Sequence, residues 1–116
     1  MDERLEKALK FSNYMVTLNN QRQILKEKFF EDCLYFIDGC QFTITRELVA
    51  FVGFLLEKNQ TEAVLIDDND IPAQVNDLQE FYSDITDQYF RASNNYYQEY
   101  YKLRSSRTVE KLVEYE

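Results

Sequence analysis

The chain has 116 residues, 45% of them apolar, with 21 acidic and 13 basic side chains, a net charge of −8 and no histidine. That length makes about one domain, which can bury roughly two-thirds of its unfolded surface, and the residue mixture excludes the disordered, collagen-like and disulfide-scaffold classes. The acidic balance argues against duplex DNA as a direct partner, because affinity there comes from neutralising phosphates.

The first residues, MDERLEKALK, lack the apolar core of a secretory signal. The longest apolar run, Leu48 to Leu56, is less than half of the roughly 20 residues a helix needs to cross a bilayer. The expectation is a cytoplasmic protein with no membrane partner.

Residues 2 to about 31 read as one long helix. Ala8, Phe11, Met15, Leu18, Leu25 and Phe29 recur at spacings of three and four, interrupted at Arg22, and Leu5, Leu9 and Val16 widen the stripe. CLYFI and CQFTI then flank Asp38-Gly39, a strong hairpin signal because both turn positions favour positive φ. Both faces of this hairpin are largely apolar, so both are expected to be covered. A two-residue turn sets Cys40 opposite Ile37 and leaves Cys33 four residues further down the ladder. At about 3.4 Å per residue the two thiols cannot bridge, since a disulfide needs Cα atoms within about 7 Å.

Thr45 can cap a helix over residues 46 to about 58, whose apolar side chains point almost all round; such a helix is expected to be enclosed by the fold. Gly53 inside it suggests close approach of a neighbouring element, or a small kink. EAVLID and IPAQV read as a second pair of strands, with Pro72 at a sheet edge because it cannot donate to a ladder. Asn76 or Asp77 then caps a second long helix running to about Leu103; Ser105 and Ser106 break it, and TVEKLVEYE suggests a last short helical turn. The fold class is α+β in one domain: two long helices plus one short buried helix packed on small antiparallel β-hairpins, in the order α-ββ-α-ββ-α.

Three carboxylates lie in the second turn, Asp67, Asp68 and Asp70. Neither frame of an EF-hand loop fits, because Ala73 stands where glycine belongs and Gln79 where the last acid belongs. Without histidine, a transition-metal site and the usual base for a serine or cysteine nucleophile are missing too. With glycine only at positions 39 and 53, no phosphate cradle can form. The acids read as turn residues, with a loose surface cation site as the alternative. No cofactor, metal or catalytic residue is expected, although two-carboxylate chemistry remains formally open.

Charge is uneven: residues 31–100 carry 3 basic and 14 acidic side chains, while residues 1–30 carry 6 and 4. YYKLRSSR, Tyr100 to Arg107, interleaves rings and cations as single-strand binders do, or it opposes the helix dipole with basic residues. Seven of nine tyrosines lie at or beyond position 82. Leu78, Tyr82, Ile85, Tyr89, Ala92, Tyr96 and Leu103 form a seam broken at Glu99, while Phe81, Phe90, Tyr97, Tyr100 and Tyr101 lie off it. One helix in a small domain cannot bury both sets, which makes Phe90, Tyr97, Tyr100 and Tyr101 the candidate interface.

LIDDNDIPAQVNDLQEF, followed by YYQEYYKLRSSRTVE, resembles small proteins carried by tailed phages of marine cyanobacteria. The resemblance implies a phage or marine metagenomic origin and expression inside a bacterial host, and it carries no activity or site. The functional expectation is a non-enzymatic interaction or assembly protein that self-associates or binds another phage or host protein. The alternative is an acidic nucleic-acid mimic, or an accessory of nucleic-acid metabolism, that engages a basic partner.

Overall fold

The computed structural model describes residues 2–105. In chain order the elements are α1 (Glu3–Asp32), β1 (Leu34–Ile37), β2 (Cys40–Thr43), α2 (Arg46–Glu57), β3 (Ala63–Ile66), β4 (Pro72–Val75) and α3 (Leu78–Ser105). This is the α+β order expected. The chain divides into two compact units. A helical unit holds residues 1–29 and 94–116, described over 2–29 and 94–105, and a hairpin unit holds Phe30–Ser93. The expected last turn, TVEKLVEYE, lies outside the described residues.

Local chemistry explains each element of the hairpin unit. Asp38 and Gly39 both take positive φ, 49° and 78°, as a two-residue turn requires. They set β1 against β2 in the register Ile37 to Cys40 and Leu34 to Thr43. The Ile44 amide donates to the Cys33 carbonyl at 2.8 Å and lengthens the ladder. Thr45 caps α2, its hydroxyl accepting from the Leu48 amide at 3.1 Å. Asn59 closes α2 in the left-handed region, with Gln60 N–H bonded to Leu55 C=O and Asn59 N–H to Leu56 C=O, which satisfies two end carbonyls. β3 pairs with β4 from Ala63 opposite Val75 to Ile66 opposite Pro72. Asp77 caps α3 by accepting from the Glu80 amide at 3.0 Å.

The hairpin unit's core gathers Cys33, Phe42, Ile44, Val52, Leu65, Val75, Leu78, Phe81 and Ile85. Phe81 meets Tyr35 and Phe42 edge-on, with ring centroids 5.4 and 5.6 Å apart. The Gln88 amide donates to the Asp32 and Leu34 carbonyls at 2.8 and 2.7 Å and so ties α3 to the end of α1.

Two expectations about burial fail here. Only Val52 of α2 is fully buried, while Phe51 and Phe54 are 50% and 52% exposed; α2 lies on the surface because just one of its sides meets the hairpins and α3. The first hairpin is likewise covered on one face only, since Cys33, Cys40, Phe42 and Ile44 are buried but Phe36 is exposed.

In the helical unit, Leu18, Leu25 and Leu103 form the core, with Tyr14, Met15, Tyr96 and Tyr100 packed on it. Phe29 lies against Tyr96 at 5.0 Å between centroids, and the Arg22 guanidinium sits over the Tyr100 ring at 5.9 Å. These pairs run in opposite directions along the chain, so the two helices are antiparallel within this unit. Leu5, Leu9, Phe11 and Val16, expected in the buried stripe, are exposed. Val16 lies about 160° round the helix from Leu18, on the side away from the Leu18–Leu25–Leu103 core.

Candidate functional site

The acidic turn is a clasp. The Asp67 carboxylate is buried and accepts three backbone amides, from Asn69 and Ile71 at 2.8 Å and from Gln41 at 3.1 Å. Asp68 accepts from the Thr43 amide at 3.1 Å, the Thr43 hydroxyl at 2.6 Å and the Gln41 side chain at 3.1 Å. Its own amide donates to the Gln41 carbonyl at 2.9 Å. Together the two acids bond the Gln41 amide and carbonyl and the Thr43 amide on the outward edge of β2, 25 residues or so back along the chain. Burial pushes both carboxyls up, but the bonds they accept outweigh it and hold both below the ordinary carboxylate value. Asp70 takes positive φ in the turn, and its amide donates to the Asp67 carbonyl. Turn residues are what the sequence predicted. The reach of the clasp to β2 went unseen, and only the sequence-distant Gln41 and Thr43 could have shown it.

Cys33 and Cys40 are both buried and free, as the hairpin register required. Burial, then the nearby Asp32, raises the Cys33 thiol above its ordinary value, which keeps it protonated and unreactive. Tyr35 donates to Asp84 at 3.1 Å, and burial together with that acid pushes its phenol to about 12. Gly53 does meet a close neighbour: a methyl group placed there would lie 3.4 Å from the Tyr82 ring. Among the described residues no group of three or more cysteines, aspartates or glutamates could hold a metal ion, and no helix is long and apolar enough to cross a membrane.

The four candidate interface residues divide. Phe90 in the hairpin unit is 59% exposed; Tyr97 and Tyr101 in the helical unit are 71% and 59% exposed, stacked on each other with centroids 6.4 Å apart and planes 25° apart. Tyr100 is not among them, for its ring is half-buried against Tyr96 and the Leu18–Leu25–Leu103 core. Phe81, placed off the seam, is core. Phe81 stands three residues after Leu78 and four before Ile85 and so shares their buried side; Tyr100 comes onto the seam because a straight helix of 3.6 residues per turn drifts about 20° per heptad from a strict seven-residue repeat.

Missed by the sequence reading was a pair of hollows between α2 and α3 in the hairpin unit. One, of about 480 Å³, has walls from Val49, Gly53, Phe54 and Tyr82; the other, of about 260 Å³, has walls from Val49, Thr86, Tyr89 and Phe90. Val49 and Ala50 border both. The Thr86 hydroxyl oxygen is occluded behind the apolar wall of the smaller one, without a hydrogen-bond partner. No protein-family model, curated protein or solved structure matches the chain.

Proposed function

We propose that the chain is a non-enzymatic interaction or assembly protein that associates with further copies of itself through aromatic residues of α3. One observation carries the reading. Tyr97 and Tyr101 lie stacked and mostly in water, and rings of that size gain much from burial at small entropic cost. The likeness to cyanophage proteins makes phage and host proteins the natural further partners on this reading.

Light scattering tests it. Wild-type protein should show a mass above that of the monomer, and Tyr97→Glu with Tyr101→Glu should lower it while circular dichroism keeps its helical signal. A monomeric wild type would end the proposal.

A second reading, the acidic mimic of a nucleic acid, draws on the hairpin unit, where Phe30–Ser93 carries 13 acidic and 3 basic side chains. It expects capture of a basic DNA-binding protein that weakens steeply as salt rises.

A further inference from the structure

We propose that copies join head to tail, with the Tyr97–Tyr101 edge of one helical unit entering the hollows between α2 and α3 on the hairpin unit of the next copy. This rests on the self-association reading above and gives it a geometry.

The two surfaces match in their apolar character. On α3, Tyr97, Tyr101 and Arg104 follow at spacings of four and three, so two rings and a cation share one side of the helix. The hollows offer apolar walls at Val49, Ala50 and Phe90. A tyrosine ring suits such walls, since it buries apolar area there while its phenol stays at the rim in water.

Charge points the same way. The described residues of the helical unit carry 8 basic and 5 acidic side chains, a balance of +3, whereas the hairpin unit stands at 3 and 13, a balance of −10. Two of the hairpin unit's cations do lie near the hollows: Arg46 borders the smaller one, and the Lys58 ammonium sits 5.5 Å from the centroid of the Phe54 ring. Glu57 borders the larger hollow and Glu47 follows Arg46 on α2, so the rim is locally balanced and the long-range field is set by the acidic excess. Opposite fields favour encounter between unlike units and oppose it between two hairpin units. Because edge and hollow are different surfaces, each added copy leaves one of each exposed, and growth continues until a ring closes or continues as an open chain.

Complementation between two blocked variants decides the matter. Ala50→Lys puts a long cation at the mouth of the hollows from an exposed position; Tyr97→Glu with Tyr101→Glu removes the edge. Light scattering should find the wild type growing past a dimer with concentration, each variant alone monomeric, and an equal mixture forming a dimer, because the intact edge of the first meets the intact hollow of the second. Raised salt should weaken that dimer. If Ala50→Lys loses helical signal by circular dichroism, Phe90→Ser replaces it, and Tyr97→Glu alone replaces the double change on the same ground. Should the hollow variant assemble like wild type while the tyrosine variant does not, association is tyrosine against tyrosine: the head-to-tail geometry fails and the self-association reading stands. A wild type that stays monomeric defeats both, whether or not it binds a labelled oligothymidylate through Tyr97.

Discussion

Gln21 sits in α1 only 1% exposed, and neither its side-chain nitrogen nor its oxygen has a hydrogen-bond partner. A buried amide in that condition costs about 1–3 kcal/mol per unmatched group, whereas a side chain of equal length without polar atoms costs nothing of the kind. Gln21→Met should therefore raise stability by about 1–3 kcal/mol in denaturant melts, and Gln21→Glu, which buries a charge, should lower it. A fall with Met would mean that the amide is matched in solution. Single residues were also where sequence reading was weakest. Gln21 stands three residues after Leu18 and four before Leu25, on their buried side, but its polarity marks it for the surface; the reach of Asp67 and Asp68 to β2 depends on a tertiary approach that no local pattern records.

Elements were far more legible, because their ends depend on neighbours in the chain. Asp38-Gly39, Thr45 and Asp77 each do locally what turn and cap chemistry asks of them. Thr45→Ala should accordingly destabilise by about 1 kcal/mol, read from chemical denaturation, and Thr45→Ser should leave stability nearly unchanged. Gly53 invites the opposite change. Its approach to Tyr82 leaves 3.4 Å for a methyl group, an ordinary contact distance, and alanine suits a helix interior better than glycine. Gly53→Ala should then stabilise by up to about 1 kcal/mol; a loss would show that the Tyr82 ring cannot yield. What elements do not announce is which side faces water. α2 is apolar enough to be enclosed, yet its Phe51 and Phe54 stand half in solvent, since burial depends on how many neighbours a fold supplies and not on a helix's composition.

For the whole molecule, the clasp on β2 decides more than local geometry. An uncovered strand edge is a template on which another chain can add a strand, and repeated addition builds cross-β fibrils. Asp67 and Asp68 occupy the Gln41 and Thr43 groups that such an addition would use. Both carboxyls ionise below their unfolded value of 3.8 in the folded chain, so the clasp's contribution is complete above that pH and is lost as pH falls through the lowered values. Acid should open β2, and because the 13 basic side chains then leave each copy net positive, salt that screens them should favour the association. Thioflavin fluorescence should thus grow with time in acid that protonates both carboxyls and stay flat at pH 7, and Asp67→Ala with Asp68→Ala should bring the growth to neutral pH. A double variant that stays dispersed there would show that β2 is guarded by something else. If it does form fibrils, the two acids act chiefly to keep a β-strand from recruiting its own kind.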